Sequence, residues 1–130
     1  MLEETGLGVN PEFVVYGDYT SRAGYELMQD LLRKDPAIDG VFACSDLMAL
    51  GVMEALRENG RRVPEDVSVV GFDDVPLAEY CSPPLTTIRQ PIAKAGEVMV
   101  KNLMDYLNDK IITRTILPVE LIVRKSSLPV

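Results

Sequence analysis

Residues 66–90 read DVSVVGFDDVPLAEYCSPPLTTIRQ, and within them an apolar run, Val67 to Phe72, stops at two adjacent carboxylates, Asp73 and Asp74. A short run without polar alternation suits a strand covered on both faces, as in parallel sheets. Such a strand delivers its last two charges to whatever lies off its carboxyl end. Upstream, IDGVFACSD offers a second run of this kind from Gly40 to Cys44. Between the two lies LMALGVMEALRENG, a helix that Asp46 or Ser45 caps and Gly60 ends. Strand, helix and strand with a short return force a right-handed parallel crossover from Val41 to Phe72. The fold class predicted is therefore α/β, built on a parallel sheet.

Other segments extend this unit on both sides. PEFVVYGDY predicts a short strand, Phe13 to Tyr16, closed by Gly17 and Asp18. A helix capped by Ser21 follows, with Ala23, Leu27 and Leu31 recurring on one face until Asp35-Pro36 breaks it. VPLAEY reads as a turn or short helix, and Pro83, Pro84 and Pro91 make residues 81–91 an extended crossing segment with little regular structure. Pro91 opens a last helix, on which Ile92, Ala95, Met99, Leu103 and Leu107 share a face opposite Lys94, Glu97, Lys101 and Asp105. A final strand falls around Glu120 to Val123, with Pro118 placing its start at a sheet edge. The amino end, MLEETGLGVN, reads as a helix already in progress through Leu2, Glu3 and Glu4 and stopped by Gly6, so the chain is expected to begin mid-fold.

Composition narrows the function classes. A chain of 130 residues is sized for one domain with a moderate core. No apolar run approaches the ~20 residues of a membrane span, so no membrane contact is expected. Thirteen basic against twenty acidic side chains give a net charge of −7, a surface that repels a phosphate backbone. There is no histidine, which excludes imidazole metal sites and histidine-dependent triads. Two cysteines, Cys44 and Cys81, make no disulfide framework and point to a reducing, cytoplasmic setting.

In parallel α/β sheets, ligands sit off the carboxyl ends of the strands. Three segments bring polar groups there: Gly17-Asp18-Tyr19-Thr20, Cys44-Ser45-Asp46 and Asp73-Asp74. Adjacent strand residues alternate faces, so one of Asp73 and Asp74 turns to the crevice and the other caps or braces. A carboxylate there can accept charge-assisted hydrogen bonds from the hydroxyls of a small polar ligand. Tyr19 is either a rim aromatic that covers a sugar or base, or an ordinary partly buried ring. Asp46 and Asp74 also fit the plainer role of helix cap or turn former. The enzymatic alternative, a Mg²⁺-dependent phosphoryl-transfer domain, would use the strand-end carboxylates as ligands, but no GxxxxGK loop accompanies them.

The wording of the sequence adds to its periodicity. GDYTSRAGYELMQDLL, DGVFACSDLMALGVMEAL, VPEDVSVVGFDD, SPPLTTIRQ and the tail LPVELIVRKS together closely resemble the effector-binding region of LacI/GalR-family transcriptional repressors. The likeness covers nearly all of the chain. It implies the carboxyl-side lobe of a type I periplasmic-binding-protein-like fold, a three-layer sandwich that holds a small effector, a sugar or sometimes a purine, between two lobes. Residues 1–130 would then be a fragment of the effector-binding domain. Residues 91–110 would be a crossover helix of the missing lobe, and the helix-turn-helix domain that contacts operator DNA would lie outside the chain.

By position, the resemblance implies that Asp73 accepts ligand hydroxyls, that Tyr19 is the aromatic platform and that Gln90 touches ligand at the interlobe crossing. Ser45 stands where the family often has a longer amide, and Ile92 where some sugar binders place an aromatic. It also implies a homodimer through this lobe, formed by Leu47, Leu50 and Met53 on the wide apolar stripe and by Tyr80 and Cys81. The alternative for that stripe is a helix sunk in the chain's own core. No cofactor, metal or catalytic residue is expected, and an exported sugar-binding protein is the second reading within the binding class.

Overall fold

The computed structural model describes residues 8, 10–112 and 114–127, and the helix expected around Leu2 to Gly6 lies outside them. Four strands, β1 (Gly40–Phe42), β2 (Ser68–Asp73), β3 (Thr86–Arg89) and β4 (Glu120–Ile122), form one sheet in the order β1-β2-β3-β4. The first three are parallel and β4 is antiparallel to β3, with Val70 opposite both Phe42 and Thr86. The α/β class and the parallel crossover from β1 to β2 are as expected, and Pro118 does precede an edge strand.

Two helices, α1 (Ser21–Lys34) and α2 (Asp46–Glu58), cover one side of this sheet. Each starts at a side chain that satisfies an otherwise unpaired first-turn N–H. The Thr20 hydroxyl accepts from Ala23 N and the Ser45 hydroxyl from Met48 N, so the cap of α1 is Thr20 and not Ser21. The helices touch backbone to backbone at two glycines. A Cβ on Gly51 would stand 1.8 Å from the Ser21 carbonyl oxygen, and one on Gly24 would stand 2.2 Å from that of Met48. Only hydrogen fits at either place.

The core lies between these helices and the sheet. Met28, Leu56, Val67, Val69 and Leu85 are its largest fully buried apolar residues. Burying each side chain contributes roughly 1.5–3 kcal/mol. Val67, Val69 and Gly71 are buried on this side, while Ser68, Val70 and Phe72, pointing to the other, are half-buried. Phe42 and Leu121 are more than half exposed on that second face. Helix α4 (Ile92–Leu107) does not supply the missing helical layer, since it buries none of its residues. Near its base the second face is covered by residues 124–127, where Ser126 Oγ accepts from Thr86 N and donates to the Val69 carbonyl.

Two sequence expectations are corrected. Phe13 to Tyr16 is no strand: Pro11–Phe13 form a 3-10 turn capped by Asn10, and the extended residues after it pair with nothing in the sheet. A β-branched run supplies propensity, yet a strand also needs a ladder partner. Here Val15 packs on the core and Tyr16 stays in water. Residues 81–91 are not wholly irregular, because Thr86–Arg89 form β3 in mid-sheet. Pro83, Pro84 and Pro91 flank that tetrad and leave each of its N–H groups free to donate. VPLAEY does form a short helix, α3 (Pro76–Tyr80), whose Ala78 is buried in the core.

Gly51→Ala should lower stability by about 3 kcal/mol, the upper end for overpacking, because its new methyl meets backbone on the neighbouring helix. Gly40→Ala, with no atom within 4 Å of its Cβ, should stay within roughly 0.5 kcal/mol of the parent. Urea denaturation of the two variants checks both.

Candidate functional site

The ends of β1 and β2, with Thr87 of β3, gather buried polar groups. Asp46, in the first turn of α2, is fully buried beneath the sheet end. Its carboxylate accepts the Thr87 hydroxyl at 2.5 Å and the Val75 backbone N–H at 2.8 Å. Burial pushes the Asp46 carboxyl up from its ordinary range against the pull of these two donors, and the nearby charges of Asp73 and Asp74 push the same way. Asp46 is therefore neither cap nor ligand group: it ties α2, β3 and the segment after β2 together, while Ser45 does the capping.

Asp73 and Asp74 follow with positive φ values of 120° and 56°. Non-glycine residues in such backbone conformations cost on the order of 1–3 kcal/mol each and persist only where the surroundings hold them. Asp74 is held firmly. One of its oxygens accepts from Arg89 Nε at 2.6 Å and the other from Arg124 at 2.7 Å. A second Arg124 nitrogen donates to the Leu85 carbonyl. Burial works to raise the Asp74 carboxyl, but the hydrogen bonds from Arg124 and Arg89 and their charges win and hold it below its usual range. The expectation of a cap or turn former at Asp74 becomes a buried ion pair.

Asp73 is left half-buried at the strand end, where the Gln90 amide donates to Oδ1 at 2.9 Å. Among the described residues no donor reaches its second oxygen. Asp73 and Gln90 are thus brought together in direct contact. Tyr19 and Ser45 form a second pair through backbone, since the Ser45 hydroxyl donates to the Tyr19 carbonyl at 3.4 Å. The Tyr19 ring is exposed, on a residue with φ of 66°. Ser45 is only 6% exposed, and its hydroxyl serves the helix cap and this carbonyl.

The residues considered for a dimer surface are divided. Leu47 and Tyr80 are exposed, Leu50 and Cys81 half-buried, and Met53 is sunk in the core. A cleft of about 560 Å³, lined by Leu50, Met53, Arg61, Cys81 and Pro83 among others, opens beside them and includes no strand-end residue. Among the described residues no group of three or more histidine, cysteine or acidic side chains could hold a metal ion. That removes the geometric support for a Mg²⁺ site among them. Thr87, Arg89 and Arg124 were not singled out as site residues from sequence; their only signal is chemical complementarity to acidic residues 15 to 50 positions away.

Comparison with known proteins bears on this arrangement. Residues 1–127 match a family described as periplasmic binding protein-like domain. The chain belongs to that family. The repressor PurR of Pasteurella multocida is 40% identical over 127 residues, 96% of this chain and 38% of that protein. The regulator CelR of Thermobifida fusca is 42% identical over 123 residues, 93% of this chain and 36% of its own length. Both are named HTH-type transcriptional regulators, as the resemblance to LacI/GalR repressors implied. Among solved structures, a complex of the regulator CelR with cellobiose superposes with a TM-score of 0.92 at 41% identity, over 97% of this chain and 39% of that one. A LacI-family regulator from Arthrobacter with lactose gives 0.80 at 34% identity, over 98% and 48%. The chain spans less than two-fifths of the length of the curated relatives it matches.

Arg124→Gln should cost about 2 kcal/mol at neutral pH, because it strips a charged donor from a buried carboxylate. Asp74 has its folded pKa below the unfolded value, so the stability it contributes is present above the ordinary carboxylate range and lost as pH falls through the folded pKa. The gap between parent and Arg124→Gln in chemical denaturation should accordingly narrow from pH 7 towards pH 3. Asp46 works in the opposite sense, as its raised pKa makes ionisation with rising pH a cost to the fold.

Proposed function

We propose that the chain is the carboxyl-side effector-binding and dimerisation part of a LacI-family transcriptional regulator, without catalytic activity. Asp73 carries this reading. It is a half-buried carboxylate off the end of a central parallel strand, with one oxygen on Gln90 and no protein donor on the other among the described residues. A carboxylate so placed is suited to accept hydroxyls of a neutral polyol, since each bond is charge-assisted and no cation competes for the oxygen. Tyr19, exposed beside Ser45, would lie against an apolar sugar face. Structural neighbours with cellobiose, lactose and ribose support a sugar as the effector class, and a purine, which the resemblance to LacI/GalR repressors also implies, is the second candidate. Ser45 contributes at most through its neighbours, because its hydroxyl is spent on the cap.

The rest of the reading follows from exposed surface and from length. Met99, Leu103 and Leu107 of α4 are each more than half exposed, which forfeits roughly 25 cal/mol per Å² of apolar surface. Residues 91–110 would pack in the other lobe of a longer polypeptide, whose helix-turn-helix domain would contact operator DNA. Leu47 and Tyr80, with Leu50 and Cys81 behind them, would meet a second copy across the α2 face. No helix among the described residues is long and apolar enough to cross a membrane, and a cytoplasmic location fits a DNA-binding regulator.

Half a cleft leaves most of a ligand wet, so this chain alone should bind its sugar with a Kd on the order of millimolar. Amide chemical-shift titration with cellobiose, lactose, ribose and hypoxanthine should move Asp73, Gln90 and Tyr19 for at least one of them. Asp73→Ala should abolish that response. Shifts confined to other residues, or undiminished in the variant, would remove the site from the strand end.

A further inference from the structure

We propose that Asp46 is a positioning residue for effector binding: it holds the turn after β2 in the backbone conformation that presents the Asp73 carboxylate to ligand, without touching ligand itself. The inference rests on the proposed role of Asp73 and goes one step behind it. Consecutive φ values of 120° at Asp73 and 56° at Asp74 cannot be kept by those residues' own preferences. Something outside the turn must hold it.

The structure shows what does. On one side, half-exposed Arg89 and largely buried Arg124 grip the Asp74 carboxylate. On the core side, Asp46 accepts the N–H of Val75, the first residue after the strained pair, with its Oδ2. Its Oδ1 is fixed by the hydroxyl of Thr87 on β3, directly opposite Gly71 on β2. A Cβ on Gly71 would come within 2.3 Å of that Oδ1, so the strand leaves room at this point for the carboxylate alone. Val75, Asp46 and Thr87 thus form a chain of bonds from the turn into the most buried part of the sheet, where Asp46 and Thr87 are both fully buried.

A fully buried carboxylate is costly, and a core position at the start of α2 could be filled by an apolar side chain of similar volume. Local stability is thus a poor reason for its presence. Accepting an N–H that no ladder partner takes is a better one. With Asp46 removed, Val75 loses its acceptor, the positive φ pair relaxes toward ordinary extended backbone, and a change of that size at Asp73 swings its carboxylate away from Gln90 and from the crevice.

The test uses the chain itself and whichever of cellobiose, lactose and ribose shifts the Asp73 amide. Asp46→Leu should weaken binding about tenfold, equivalent to 1.4 kcal/mol, and should change the Asp73 amide-to-Hα coupling that reports its φ. Measured in an Asp73→Asn background, the same substitution should have little further effect, because the group it positions is already altered. Should Asp46→Leu not fold, Thr87→Val, which keeps strand shape and removes the hydroxyl that fixes Asp46, should give a smaller loss and a smaller coupling change in the same direction. An affinity loss of equal size in both backgrounds, or unchanged coupling and affinity in the folded variant, overturns the inference. If Asp73→Ala itself leaves sugar binding intact, it is the reading of the site that fails, and that outcome is separable from the others.

Discussion

A buried carboxylate bonded to a strand hydroxyl and to one backbone N–H ties together the strand ends of this molecule. Asp46 lies in the first turn of α2, Thr87 on β3 and Val75 after β2, so two bonds join three elements that have no local reason to be near one another. Burial disfavours the ionised form of Asp46, and among the described residues the Thr87 hydroxyl and the Val75 N–H offset that cost. Moving any of the three elements costs that compensation. Helix, strand and turn are therefore held in one arrangement more strictly than apolar packing alone would hold them.

The second consequence of this arrangement is a division of labour between adjacent acidic residues. Asp74 is neutralised by two guanidinium groups, one from β3 and one from the segment after β4, and so closes the sheet end on its outer side. Asp73 keeps one oxygen on a neutral amide. The two have the same chemistry and neighbouring positions. They differ in partners because the backbone takes two positive φ values in succession, which sends one side chain toward arginines and leaves the other on the Gln90 amide.

The fold is asymmetric in its covering. α1 and α2 pack with their backbones in contact through Gly24 and Gly51 and seal one face of the sheet. The other face, with Phe42 and Leu121 exposed, and the whole length of α4 carry apolar surface that these residues do not cover. The chain spans under two-fifths of the length of the curated relatives it matches.

Local patterns in the sequence determined a good deal by themselves. The apolar runs before Cys44 and Asp73, the helix between them and the amphipathic period of residues 92–107 specify β1, α2, β2 and α4, because burial on both faces or on one imposes a readable spacing. They also placed Asp73 and Tyr19 at predicted strand ends, whereas Gln90 was singled out through the wording shared with LacI/GalR repressors. Tertiary structure alone decided which strand-like segment found a partner, admitting Thr86–Arg89 to the sheet and leaving Phe13–Tyr16 outside it. It alone paired Asp46 with Thr87 and Asp74 with Arg124, across 41 and 50 residues of chain. Spacing along a chain records periodicity within one element, whereas a hydrogen bond between two elements depends on where the whole sheet brings their ends.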